Sequence, residues 1–268
     1  MEQRTRPVTA AMFARKPSEN IPLAVLTAYD YPSAVLADEA GVDAILVGDS
    51  LGMVVMGREN TLGVTMDIMA HHTAMVARAV RHALVITDMP FLSCSLGPAE
   101  AVRNAGRLVG ECGAGAVKIE GPMSRVGEAI QAVLRAGIPV MGHLGLTPQR
   151  VLQLGGYHVQ GRSEEAAAQI RRESRELADA GCFALVLECV PAELARIITA
   201  ELPIPTIGIG AGPHCDGQVL VMYDILGWGK ARFARIYADV RKMMGDAFSA
   251  YVADVKAGRY PAREHWYE

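Results

Sequence analysis

One pattern constrains this chain more than any other. The segments "ADEAGVDAILVGDS" (37–50), "VGECGAGAVKIEG" (109–121), "VLRAGIPVMGHLG" (133–145) and "LADAGCFALVLECV" (177–190) share one order: the end of a helix, a glycine, then an apolar run. Gly41, Gly113, Gly137 and Gly181 suit the left-handed position that closes a helix, and the runs after them suit strands covered on both faces. Repeated helix-to-strand punctuation implies parallel strands joined by right-handed crossovers. Four further runs, "LAVLTAYD" (23–30), "LVITDMP" (84–90), "PTIGIGA" (205–211) and "LVMYDIL" (220–226), bring the strands to eight. Eight strands with helices between them predict an α/β fold of the (β/α)8 TIM-barrel kind. The length of 268 residues suits that fold as a single domain.

Helical periodicity falls over Tyr31–Ala40, Thr65–His82, Pro98–Glu111, Ser124–Ala136, Ser163–Ala180 and Ala192–Ala200. Only "GPHCDGQ" separates the seventh strand from the eighth, so a loop is expected there, and a helical stretch over about Ala231 to Ala257 should follow. The expected organisation is an N-terminal arm over 1–22, then the barrel with its C-terminal helical segment over 23–268. A net charge of −3 without a basic cluster argues against nucleic acid as a partner. No run of 18 apolar residues occurs and no apolar stretch marks a secretory leader, which argues against a membrane. Five cysteines without a C-x-x-C pair read as reduced thiols of a cytoplasmic protein.

In such a barrel the strand C-termini and the loops after them build the active site. Asp30, Asp49, Ser50, Asp88, Glu120, His143, Glu188 and Asp224 all fall at predicted strand ends. A single strand-end acid often caps a loop or helix. Asp49, Asp88 and Glu120 facing one cavity would repel unless a cation sat among them, and an all-oxygen set points to Mg2+ over zinc. Lys118, two residues before Glu120, points to the same face, where it either pairs with an acid or meets an anionic substrate group. His143 in "GHLGLTPQ" suits a hydrogen-bond donor to a carbonyl or water, or a structural role, and "GIGAG" (208–212) offers a compact turn for a ligand.

The motifs "TAYD", "VGDSLGMVVMG", "DMPF", "VKIEG", "GHLGLTPQ" and "GIGAGPHCDGQVLVMYDILG", in this order from about Ala24 to the C-terminal "GRYPAREHWYE", closely resemble the ketopantoate hydroxymethyltransferase family. The resemblance implies a barrel of the phosphoenolpyruvate/pyruvate superfamily. Such an enzyme uses Mg2+ and 5,10-methylenetetrahydrofolate to hydroxymethylate 3-methyl-2-oxobutanoate, a step of pantothenate synthesis, and works as a homo-oligomer, a decamer. It implies Asp49 and Asp88 as metal-associated groups that also touch the keto acid, with Glu120 completing the metal site. Ser50 and Lys118 then hold the substrate carboxylate, His143 assists by hydrogen bonding, and Glu188 accepts the proton. Pro122, Tyr223, His158 and Cys94 depart from the family pattern. None of them replaces a residue with a role above, so they bear on affinity for the folate. Two other functions fit a polar barrel mouth: a Mg2+-dependent lyase of the same superfamily acting on a 2-oxo acid without folate, and a catalytically silent barrel serving as a binding module.

Overall fold

The structure, a computed structural model, describes residues 6–17, 21–229 and 231–268. The chain divides into two compact units, Met1–Val221 and Met222–Glu268. The first unit begins with a short helix, α1 (Ala10–Phe13), and strand β1 (Leu23–Thr27). It continues with α2 (Tyr31–Glu39), β2 (Ala44–Val47), α3 (Leu51–Val54), α4 (Met66–Ala79), β3 (Leu84–Asp88) and α5 (Pro98–Gly106), which runs on into a π-helical turn at Arg107–Glu111. Then follow β4 (Ala116–Glu120), α6 (Met123–Arg135), β5 (Val140–Gly145), α7 (Val151–Leu154), α8 (Glu164–Asp179), β6 (Ala184–Glu188), α9 (Ala192–Glu201), β7 (Thr206–Ile209) and β8 (Gly217–Leu220). All eight strands pair in parallel, each with its neighbour in sequence, and β8 closes the barrel against β1.

The expected glycines end their helices as required: Gly41, Gly113 and Gly137 have φ of 84° and Gly181 has 102°. Thr65 and Ser163 cap α4 and α8 by accepting the N–H of Ile68 and Ala166. The N-terminal segment also contributes to the barrel. Phe13 is fully buried, packs edge-on against Phe183 at 5.9 Å, and joins the interior cluster that holds Leu84, Met141, Phe183 and Ile207. It therefore plugs the end opposite the polar strand termini. Asp38 of α2, also buried, accepts from the backbone N–H groups of Arg81, His82 and Ala83 at 2.7 to 3.3 Å and so fixes the entry into β3. Leaving buried donors unpaired costs about 1–3 kcal/mol each, so this carboxylate helps to define where β3, and hence Asp88, begins.

Two expectations change. The eighth strand is Gly217–Leu220, not 220–226, and Met222–Ile225 is a helical turn, α10, of the second unit. Asp224 therefore lies in a helix, not at a strand end. The C-terminal helix, α11, spans Val240–Lys256, shorter than the expected 231–257. The loop between β7 and β8 is as expected.

Candidate active site

The register of the strands assembles the polar groups. Asp88, the last residue of β3, is the direct partner of Lys118 on β4, and Glu120, the last residue of β4, is the partner of His143 on β5. Glu188, the last residue of β6, is opposite Gly145. Alternation along β4 turns Lys118 and Glu120 to one face. Asp49 and Ser50 follow the end of β2 after a single glycine, Gly48. These groups are withdrawn from solvent: Asp49 is 5% exposed, Asp88 4%, Lys118 7%, Glu120 9% and His143 1%.

Lys118 Nζ lies 2.9 Å from Asp88 Oδ1 and 3.4 Å from His143 Nδ1. His143 Nδ1 is in turn 3.5 Å from Glu120 Oε2, and its Nε2 is 3.2 Å from Glu188 Oε2. The histidine thus bridges the acid cluster to Glu188. Burial and the Lys118 charge disfavour its protonation, but the carboxylates of Glu120 and Glu188 outweigh them and push its pKa up to about 9. Burial likewise disfavours charge on Lys118, yet Asp88, Asp49 and Glu120 together hold its ammonium above the ordinary range. The pKa of Asp49 is also raised, which for a carboxylic acid favours the neutral form. Burial first, then Asp88 and Glu120, push it up to about 8 against the opposing pull of Lys118 and Gln149.

Gln149 was not singled out by the sequence, although it ends the motif "GHLGLTPQ". Its side-chain Nε2 donates to Asp49 Oδ2 at 2.9 Å and to the Met89 carbonyl at 3.0 Å, while its backbone N–H donates to Glu120 Oε1 at 3.0 Å. One residue therefore ties the ends of β2, β3 and β4 together. Tyr29, buried, meets Ser50 Oγ through its hydroxyl at 2.9 Å. Gly145 has φ of 93°, and a Cβ there would lie 2.2 Å from the Glu188 carbonyl, so only glycine admits the close approach of β5 to the end of β6. Directly after Glu188 the chain turns through Cys189, a non-glycine residue at φ 49°.

Other candidates have structural roles. Asp30 caps α2 by accepting the Ser33 N–H at 2.8 Å. In "GIGAG", a Cβ at Gly212 would lie 2.4 Å from that of Ala192, so close packing on α9 explains that glycine.

The donor set fits a hard divalent cation. Asp88 Oδ1 is buried without a well-directed hydrogen bond, its contact with Lys118 being short but off-line. Asp49 is driven to retain a proton by burial first and then by Asp88 and Glu120, a repulsion that a cation relieves. Both oxygens of Glu120 already face protein groups. Among the described residues no three of His, Cys, Asp and Glu are placed to hold a metal ion together. Asp49 and Asp88 are the carboxylates that would hold such an ion, one that commonly keeps several waters. Beside the cluster a cavity of about 510 Å3 opens between the loop after β3 and the start of α6, with Met89, Glu120 and Gln149 on its inner wall and Cys94 on its side. Burial pushes the Cys94 thiol up to about 12, so it is an inert wall group.

Comparison with known proteins agrees with this architecture. Two solved structures share the fold: phosphoenolpyruvate phosphomutase from Streptomyces platensis subsp. rosaceus (TM-score 0.62, 17% identity, 97% of this chain and 92% of that one) and 2,3-dimethylmalate lyase (TM-score 0.59, 19% identity, 97% and 92%). Among proteins of similar sequence, the 3-methyl-2-oxobutanoate hydroxymethyltransferase of Moorella thermoacetica is 53% identical over 99% of both chains. That of Syntrophomonas wolfei is 52% identical over 96% of this chain and 94% of its own. The family description "Ketopantoate hydroxymethyltransferase" matches residues 7–263, and the chain belongs to that family.

Proposed function

We propose that this chain transfers a hydroxymethyl group from 5,10-methylenetetrahydrofolate to 3-methyl-2-oxobutanoate, giving 2-dehydropantoate for pantothenate synthesis. The observation that carries the reading is the line Lys118–His143–Glu188 beside the buried acids, on a chain that is 53% identical to a named hydroxymethyltransferase. Lys118 and Ser50 hold the substrate carboxylate, with Ser50 oriented by Tyr29. Asp49 and Asp88 would hold Mg2+, Glu120 completing the acidic surroundings, and the bound ion supplies Lewis-acid stabilisation of charge developing on the 2-oxo oxygen.

Glu188 then takes the proton from C3. Its side chain is 17% exposed, open enough to meet a substrate, and His143 Nε2 stands 3.2 Å from its Oε2 without a well-directed hydrogen bond. The C–H bond breaks toward Glu188, C3 forms a bond to the donor's methylene carbon, and both C–N bonds to that carbon break, the two folate nitrogens taking up the C3 proton and one proton of water. Tetrahydrofolate leaves, water supplying the hydroxyl of the product. The cavity beside Glu120 gives the donor its approach; its volume lies in the usual range for small-molecule sites. Wild-type protein with 3-methyl-2-oxobutanoate, Mg2+ and the folate donor should yield 2-dehydropantoate by mass spectrometry, and should exchange the C3 proton for deuterium without donor. Cleavage of the keto acid without folate would favour the lyase, and absence of both reactions would favour the silent barrel.

A homo-oligomer in the cytoplasm belongs to the same reading, supported by five free thiols and by α11. Met244, Phe248, Tyr251 and Val255 recur along that helix at helical spacing and are 42–61% exposed, and α11 buries no residue. A stripe of this kind suits a second copy of the chain. Light scattering should report an assembly of several subunits, the family's decamer included, that Phe248→Lys weakens; a wild-type monomer would refute the oligomer.

A further inference from the structure

The cavity beside the acid cluster carries a feature that the reaction above does not use. Arg125, in the first turn of α6, and Arg150, between β5 and α7, both line it. The Arg125 guanidinium folds back over Gly121, where a Cβ would lie 2.7 Å from its Nη2. The Arg150 guanidinium donates to Gln153 Oε1 through Nε and Nη2 at 3.0 and 2.8 Å, its one hydrogen-bond partner among the described residues. Among the described residues neither arginine has a carboxylate within ion-pair distance, although Glu120 and Glu128 share the same cavity wall. Partial burial first, then the Arg150 charge, hold Arg125 below its ordinary range against the weaker opposing pull of Glu120 and Glu173, so two like charges face one cavity with no carboxylate paired to either among the described residues. The start of α6 adds to this field, because Pro122 provides no side-chain cap for its first N–H groups.

Arginine presents a planar fork that matches a carboxylate with two hydrogen bonds. The substrate keto acid carries one carboxylate, for which Lys118 and Ser50 stand ready inside the barrel. We propose that Arg125 and Arg150 form a separate anion subsite that recognises the carboxylates on the glutamate tail of the folate donor. This inference rests on the transferase reading for the identity of the ligand. It assigns to the cavity a specific function, selection of donors by the charge on their tails, with the arginines as binding residues outside the chemical step.

The test compares 5,10-methylenetetrahydrofolate with an analogue in which both tail carboxylates are amides. Wild-type protein should show a KM for the diamide about tenfold or more above that for the acid, the size expected for lost charge-assisted hydrogen bonds. Arg125→Gln and Arg150→Gln should each raise the KM for the acid donor by a similar factor, with little further effect on the diamide. Equal use of both donors by wild type would overturn the subsite. So would variants that raise the KM for both donors alike, or that raise only the KM for the keto acid. Calorimetric titration of tetrahydrofolate and its diamide makes the same comparison without turnover. A wild-type protein that makes no folate-dependent product yet prefers the acid form would refute the transferase and keep the subsite, whereas equal affinities would refute the subsite alone.

Discussion

Glu188→Gln is expected to slow deuterium exchange at C3 of 3-methyl-2-oxobutanoate by about 10² to 10⁴, the usual cost of losing a general base. The substitution keeps size and shape. Its amide can occupy the place of the carboxylate, whose Oε2 stands 3.2 Å from His143 Nε2, and the backbone pairing of β6 with β5 and β7 is untouched. What the amide cannot do is take a proton. Keto-acid binding and the melting temperature should therefore stay close to wild type while exchange collapses. Measuring exchange without folate isolates proton abstraction from carbon transfer. If Glu188 served only to complete the loop between β6 and α9, the glutamine would exchange at the wild-type rate. That result would remove Glu188 as base and turn attention to His143, whose Nε2 is 3.2 Å from it.

The parts of this site that the sequence disclosed are those governed by strand geometry. A residue at a strand C-terminus in a parallel barrel has only one place to go, so Asp88, Glu120 and Glu188 could be placed from their positions in apolar runs alone. Pairing of Lys118 with Asp88, and of Glu120 with His143, needs only the register of neighbouring strands. Gln149 escaped notice because its partner Asp49 is 100 positions away and the loop path that joins them follows no periodicity. The arginine pair is also non-local, Arg125 coming from the first turn of α6 and Arg150 from the 3-10 turn Pro148–Arg150. The eighth strand was misplaced for a different reason. "LVMYDIL" is apolar with an acid near its end, like the true strands, and a short apolar run does not distinguish strand from helix. The actual strand, "GQVL", carries a glycine whose absent side chain lets β8 approach β1: a Cβ at Gly217 would lie 2.5 Å from the Leu23 carbonyl. That close approach is tertiary information.

The buried acids make a second large effect, linking metal, pH and stability. With EDTA present, the folded chain holds a proton on Asp49 up to about pH 8 and on His143 up to about pH 9, whereas their ordinary values are 3.8 and 6.5. Between pH 6.5 and 8 the folded state therefore binds protons that the unfolded chain has released. Stability must fall as pH rises through that window, because raising pH favours the state with fewer bound protons. Each group contributes at most about 1.4 kcal/mol per pH unit, so the combined loss is on the order of a few kcal/mol. At roughly 2–4 °C per kcal/mol for a domain of this size, the melting temperature should drop by several degrees. Mg2+ should reverse the drop, since a cation among Asp49, Asp88 and Glu120 replaces the proton as the neutralising charge. Saturating ion adds stability of its own, about 2.7 kcal/mol at a hundred times the dissociation constant. Asp88→Asn removes one of the two carboxylates proposed to hold the ion while leaving Asp49 buried, so the Mg2+-induced rise should be lost or greatly reduced, along with metal-dependent turnover. A melting temperature in EDTA that is flat from pH 6.5 to 8, or an Asp88→Asn protein that gains as much from Mg2+ as wild type does, would show that these carboxylates are neutralised in another way and that the ion belongs elsewhere.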